Sequence, residues 1–309
     1  MAFYYDTVRG DFMKSISLTA SAIFVAAALP LFAGSDGVDM PLSCEACAET
    51  GFSYTGIAIA AAGLSSSSGT AQYIAVAQAD LAYSFALGGA NAALGALVQG
   101  VFRSSGGGSG EARIMPYASY ERGDYRLTLG YGDDAWRNIV PRYLHGNGVN
   151  NSLRWVNKPL VRADFSRADI SASLSYDHDG WATFAVSKTF GRSKIYGAYA
   201  VATQGGTMSY TMGIRREFSD KLSMELAVFH PHGTRNLIVD ARYRVNDRLT
   251  LSGMLRHETI SWVLQSQGAA VGVQYELRPN SFIYAEYDYR LPVSGSHSTF
   301  AEIGIKHEF

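Results

Sequence analysis

The sequence predicts an all-β fold: a transmembrane antiparallel β-barrel of sixteen strands with one loop folded inward. Three observations predict it. Apolar and polar residues alternate with period two over most of residues 51–309. Turn residues break that alternation at short intervals. The last segment ends on Phe309, with Ala301, Ile303, Ile305 and His307 on its face and Glu302, Gly304, Lys306 and Glu308 on the other. A closing strand of that kind presents apolar groups to lipid, keeps polar groups inside and pairs with the first strand, so no edge stays open.

The elements follow in order. Residues 51–62 are small and apolar on both faces. Residues 71–87 set Tyr73, Leu81, Tyr83, Phe85 and Leu87 against Gln72, Gln78, Asp80 and Ser84. Residues 91–102 are rich in Ala and Gly, and 112–121 contain Pro116. Residues 124–132 alternate through Leu127 and Leu129, and 153–163 contain Pro159. Residues 166–177 set Ile170, Ala172, Leu174 and Tyr176 against Ser171, Ser173, Ser175 and Asp177. Strands at 181–190 and 194–203 flank the turn Gly191-Arg192-Ser193. Residues 207–217 set Met208, Tyr210, Met212 and Ile214 against Ser209, Thr211 and Arg215. After 222–230, residues 236–245 set Leu237, Val239, Ala241 and Tyr243 against Asp240, Arg242 and Arg244. Strands at 249–259, 268–277, 282–291 and 299–309 complete the count. If the segments at 51–62, 91–102, 112–121 and 153–163 fail, the number falls to twelve or fourteen. No amphipathic helix is expected among them. Keeping charge to one face matters, because a charge facing lipid near the midplane costs about 2–4 kcal/mol.

Turns sort into two classes. Short ones such as Asn246-Asp247-Arg248 and Arg278-Pro279-Asn280 are expected on the periplasmic side with both chain ends. Longer ones are expected outside, at Ser65–Thr70, Arg103–Glu111, His230–Arg235, Ser261–Gln267 and Val293–Ser298. Tyr120, Tyr125, Tyr131, Tyr176, Tyr275 and Tyr289 lie near strand ends, where aromatic rings favour the membrane interface.

Composition agrees. The chain of 309 residues is 47% hydrophobic and 17% charged, with net charge −1. A helical membrane bundle would need repeated apolar runs of about twenty residues, and a nucleic-acid binder would need a basic footprint. Nineteen Tyr and thirty-two Gly suit many tight turns and interfacial rings. Composition alone also fits a soluble β-sandwich or ligand-binding barrel.

Residues 1–33 read as a secretory signal peptide, with the true start at Met13, a basic Lys14, an apolar stretch from Ile16 to Phe32 and cleavage after Ala33. An uncleaved anchoring helix is the alternative. Residues 34–50 then form a short periplasmic segment before the barrel of 51–309. Cys44 and Cys47 in that segment are expected to form a local disulfide, as in most exported chains. Two sulfurs do not complete a zinc site, and a thioredoxin-like role lacks its βαβ context.

The longest break in alternation runs from Asp133 to about Ser152 and carries Trp136, Ile139, Val140, Tyr143 and Leu144. Loops of this length in compact domains are usually functional or disordered. The stretch Leu127-Thr128-Leu129-Gly130-Tyr131-Gly132-Asp133-Asp134-Ala135 and the ending Ala301 to Phe309 resemble the general porins of Gram-negative bacteria, of the alphaproteobacterial type. That resemblance implies sixteen strands, a homotrimer, and passive diffusion of small hydrophilic solutes and ions. It also implies that the loop after the fifth strand enters the barrel, its acidic groups facing basic side chains on the wall. His307 departs from the pattern, as does the lack of arginines in the first two strands.

Parity places Arg113 and Arg126 on the inner face beside the start of that loop. Asp133 and Asp134 would supply negative charge, and Arg137, Arg142 and His145 positive charge. Unit charges at 4 Å interact by about 1 kcal/mol in bulk water and about 4 kcal/mol at an effective dielectric near 20. Fields of that size bias permeation and are screened by salt. Phe309, with Ile305 and Ile303, is the candidate signal for the barrel assembly machinery, and outer-membrane lipids are the expected surroundings.

Catalytic patterns are weak. Asp177-His178-Asp179 lies in a tight turn, and His230 and His232 flank Pro231 without a third metal ligand in view. Gly106-Gly107-Gly108-Ser109-Gly110 lacks the lysine and helix of a phosphate loop. No cofactor, metal or nucleic acid is expected. An outer-membrane hydrolase and an autotransporter-type translocator barrel remain the alternatives to a channel.

Overall fold

The period-two segments form sixteen strands. The first eight are β1 (Gly51–Ser65), β2 (Ala71–Leu87), β3 (Ala90–Arg103), β4 (Ser109–Arg122), β5 (Tyr125–Tyr131), β6 (Pro159–Arg167), β7 (Ile170–Asp177) and β8 (Trp181–Phe190). The rest are β9 (Ser193–Ala202), β10 (Met208–Glu217), β11 (Leu222–His230), β12 (Thr234–Arg244), β13 (Leu249–Ile260), β14 (Val263–Arg278), β15 (Ser281–Pro292) and β16 (Ser298–Glu308). This computed structural model describes residues 50–66, 71–104, 109–141, 158–203, 206–230, 234–260 and 263–309. The expected signal segment, Cys44, Cys47, Arg142, His145 and His232 lie outside the described residues.

Every strand pairs antiparallel with its neighbours in sequence, and β1 pairs with β16 from Ile57 opposite Glu308 to Ser65 opposite Phe300. The barrel is therefore closed. Phe309 extends the seam, its N–H donating to the Gly56 carbonyl at 2.9 Å. His307 shares the outward face with Ile303 and Ile305, and its Nδ1 lies 2.9 Å from Ser281 Oγ. That partner explains how a histidine is tolerated there.

The alternation sorts side chains as expected. On β7, Ser173 and Ser175 are buried, whereas Leu174 and Tyr176 are more than half exposed on the convex face. On β10 and β12, Ser209, Thr211 and Asp240 are buried, whereas Met208, Met212, Leu237 and Tyr243 face outward. Tyr125 meets Phe165 across the outer face at 5.2 Å between ring centroids.

Several boundaries differ from expectation. The turn between β6 and β7 falls at 168–169, with Ala168 at φ 51°, four residues later than the spacing suggested. Pro159 opens β6 because a first strand residue loses little by lacking an N–H. Pro116 pairs with Ala96, and the ladder to β5 begins only at Tyr117. Of the residues expected as loop at Ser261–Gln267 and His230–Arg235, the described ones, 263–267 with His230, Thr234 and Arg235, are strand. Tyr131 does not join the outer aromatics. Gly130 has φ 104°, and a Cβ there would lie 2.5 Å from the Pro116 carbonyl oxygen. The chain turns at this glycine, and Tyr131 packs inward on Leu97 and Met115.

The inner wall is not uniformly polar. Ile59, Ala61, Val76 and Tyr284 form a buried apolar cluster, joined by Ile57, Ile74 and Val101. This sector lies on β1 to β3 and β15. Three inward tyrosines lie against a glycine of a neighbouring strand: Tyr284 over Gly304, Tyr196 over Gly213 and Tyr117 over Gly95. Each donates its hydroxyl to a carboxylate: Tyr284 to Glu302 at 2.7 Å, Tyr117 to Asp80 at 2.8 Å, and Tyr196 to Glu225.

Candidate functional site

The loop after β5 contains a short helix that the periodicity did not predict, α1 (Ala135–Ile139). Five residues are too few to show a 3.6-residue repeat, and such a helix is not stable alone. Tertiary contacts hold it. Ala135 and Ile139 are buried against Ala185 of β8 and Ala198 of β9, with Trp136 and Val140 beside them. Trp136 meets Phe229 of β11 edge-on, with centroids 5.5 Å apart. Ala185 and Ala198 share the inner face, so α1 lies inside the barrel wall. Their small size leaves room for it.

Polar contacts fix its ends. Asp134 is the N-cap, its Oδ1 accepting the Arg137 N–H at 2.8 Å. Ser175 of β7 accepts the Ala135 N–H at 2.9 Å. Asp164 of β6 accepts from Asn138 Nδ2 at 2.9 Å, Ser173 Oγ at 2.6 Å and Arg162 Nε at 2.9 Å. Arg162 Nη1 also donates to the Asp133 carbonyl. The Arg162–Asp164 side chains are only 10% and 14% exposed. A buried ion pair endures when further hydrogen bonds satisfy its groups, and here Asn138, Ser173 and the Asp133 carbonyl supply them.

The structure gathers Asp133, Asp134 and Arg137 around this staple but not Arg113 or Arg126. Arg113 is inward, near the loop end of β4, and pairs with Glu111 at 2.5 Å. Arg126 is also inward but sits at the short-turn end, with Nη2 3.5 Å from Ser119 Oγ. It lies at the opposite end of β5 from the start of the loop, which corrects its expected position. Sequence reasoning missed Arg162, Asp164 and Ser175. Parity could have placed them inward, but nothing local announced a partner thirty residues away.

Elsewhere the inner wall carries compensated charge. Glu225 accepts from Tyr196 and from Arg215, whose Nε lies at 2.8 Å. Glu258 accepts from Ser266 Oγ and from Arg290 Nη2, both at 2.6 Å. Asp177 of the Asp177-His178-Asp179 turn accepts the N–H groups of Asp179 and Trp181, which is a turn-forming role. Among the described residues, no group of three or more His, Cys, Asp or Glu side chains is arranged to hold a metal.

Burial pushes the Asp134 carboxyl above the ordinary value of 3.8, against the pull of the Arg137 N–H and guanidinium. The folded state therefore holds this proton more tightly than the unfolded chain. Its contribution is fullest at low pH and is lost as pH rises from 3.8 through the raised folded value. Asp134→Asn keeps a capping oxygen and removes the charge. It should abolish this group's share of the change in urea midpoint between about pH 4 and about pH 7. An unchanged pH profile would remove Asp134 from the account of loop docking.

No protein-family model matches the sequence, and no curated protein matches it. Solved structures do. A mutant of Rh. blastica porin is 13% identical, with a TM-score of 0.68 over 84% of this chain and 100% of that chain. A triple mutant of Rhodopseudomonas blastica porin is 13% identical, with a TM-score of 0.67 and the same coverage. A structure described as "Asymmetric conductivity of engineered proteins" is 12% identical, again with a TM-score of 0.67 over 84% of this chain and 100% of that chain. The chain has the closed-barrel fold of these porins.

Proposed function

We propose that this protein is an outer-membrane channel, not an enzyme, for passive diffusion of small hydrophilic solutes and ions. One observation carries the reading. A closed barrel turns apolar side chains outward and mostly polar ones inward, with α1 stapled to the inner wall. A closed sheet satisfies its backbone without an edge, the condition for spanning lipid with strands. The likeness to porin structures supports it. On this reading the loop narrows the bore, Arg113, Asp133, Asp134, Arg137 and Arg142 bias its ions there, and Arg126 adds charge at the short-turn end of the lumen.

The same reading makes residues 1–33 an export signal removed at the membrane and bridges Cys44 to Cys47 in the periplasm. Phe309, Ile305 and Ile303 then present the end recognised by the assembly machinery. A homotrimer is proposed through the outer face of β1 to β4. That face carries Ala58, Ala60, Ala75, Ala77, Ala79, Ala92 and Ala96, alongside the larger Tyr73, Tyr83, Leu94 and Ile114. Small residues let two sheets approach closely.

Purified, folded protein should insert into planar bilayers in discrete conductance steps that scale with bulk salt. A folded preparation that never conducts would refute the channel.

A further inference from the structure

The wall opposite α1 is acidic. In a ring of sixteen strands with α1 docked on β7 to β9, the strands across the bore are β15, β16 and β1. Ala185 and Ala198, beneath the helix, lie near the middle of β8 and β9. Glu286 and Glu302 lie near the middle of β15 and β16, so both sets stand at mid-height. Glu286 and Glu302 are direct register partners on the inner face that carries Tyr284, and Asp288 follows two residues along it. Like charges set directly opposite each other weaken a sheet, so packing does not account for this pair.

The partners of these acids differ from those elsewhere on the wall. Asp164, Glu225 and Glu258 are each held by an arginine, which cancels their charge. Glu302 is held by the Tyr284 hydroxyl at 2.7 Å, and Asp80 of β2 by the Tyr117 hydroxyl at 2.8 Å. A neutral hydroxyl orients a carboxylate and leaves its charge in place. The cations on the inner face of β15 and β16, Arg290 and Lys306, lie towards the strand ends and pair with Glu258 at 2.6 Å and Glu308 at 3.0 Å. Arg256 of β13 lies over Gly268, on the side of Arg290. Behind the acids, the apolar cluster of Ile59, Val76 and Tyr284 screens charge less than water does. On the loop side, α1 buries Ala135 and Ile139 and leaves Arg137 exposed on its other face, one cation beside Asp133 and Asp134. The resemblance implies acids on the loop facing bases on the wall, whereas here the wall that faces the loop bears carboxylates.

We propose that these wall acids make the channel prefer cations, with Glu286 and Glu302 attracting the passing ion opposite the loop. This rests on the channel reading and adds to it the sign of the favoured ion.

The test is the reversal potential of the folded protein in planar bilayers under a gradient of potassium chloride. The wild type should pass potassium over chloride by roughly fivefold, the effect of one unit charge at about 4 Å in water. The ratio should fall as salt is raised. Glu286→Gln combined with Glu302→Gln keeps both shapes and an acceptor for Tyr284, and should bring the ratio close to unity. Arg137→Gln should raise it. Glu217→Gln, which removes an exposed inward acid at the short-turn end of β10, should change it little. A wild-type ratio at or below unity, an unchanged ratio in the double variant, or an equal loss in Glu217→Gln would overturn the proposal. A barrel that conducts without favouring cations sinks this inference alone and leaves the channel standing.

Discussion

Asp164→Ala should release α1 from the inner wall, raising single-channel conductance and open-state noise. Asp164 holds Asn138 of the helix, Ser173 of β7 and Arg162, and Arg162 in turn holds the Asp133 carbonyl. Removing one partner of a buried pair leaves the other charged and uncompensated, which costs about 3–5 kcal/mol. Part of that cost falls on loop docking and part on the barrel itself. The double variant Arg162→Met with Asp164→Ala separates the two. It removes the orphaned charge, so the wall should regain stability while the helix stays unstapled. Conductance should then remain high in both variants, whereas the melting temperature should fall mainly in the single one. Unchanged conductance in both would mean that α1 does not narrow the bore.

Gly304→Ala should destabilise the barrel by about 1–3 kcal/mol, the usual cost of overpacking a filled site. A Cβ at Gly304 would lie 2.6 Å from the Tyr284 ring, which is wholly buried and cannot swing away freely. The Tyr284 hydroxyl is also tied to Glu302. Tyr284→Ala removes the clash but exposes Ile59 and its neighbours, and it too should destabilise. Combined, the two substitutions should cost less than their sum, because the second deletes what the first collides with. Urea unfolding of the four proteins reads the coupling. Strict additivity would show that Tyr284 does not depend on a bare backbone beneath it.

Much of this fold was legible in the sequence, because a half-buried sheet imposes period two wherever its faces differ. β7, β10 and β12 set serines, threonines and charges against aliphatic and aromatic residues, and the structure keeps those faces apart. β1 was harder, because its outward Ala58 and Ala60 and inward Ile57 and Ile59 are all apolar. Its inner face belongs to a packed apolar sector, which alternation cannot reveal. The turn at 168–169 was misplaced because Ala168, an unusual residue for positive φ, carries no turn signal. Tyr131 was misdirected because Gly130 bends the strand that parity assumes straight.

The staple was the least legible part. Asp134 three residues before Arg137 is a readable cap. The anchors of α1 on Asp164, Ser175 and Ala185 depend on sheet register, which no single segment specifies. The sequence presents loop acids and wall arginines as charges bordering a bore. The structure also engages the Asp134 side chain and the Asp133 carbonyl in holding the loop in place.

The partition of side chains between water and lipid is tested most directly by single cysteines along β13, with Cys44 and Cys47 replaced by serine. Cysteines at Thr250 and Met254 should react with a charged, membrane-impermeant thiol reagent in reconstituted vesicles. Cysteines at Leu251 and Leu255 should stay unreactive to it and label with a lipid-soluble reagent. The opposite pattern, or equal labelling of neighbours, would contradict a barrel with an aqueous inside and a lipid-facing outside.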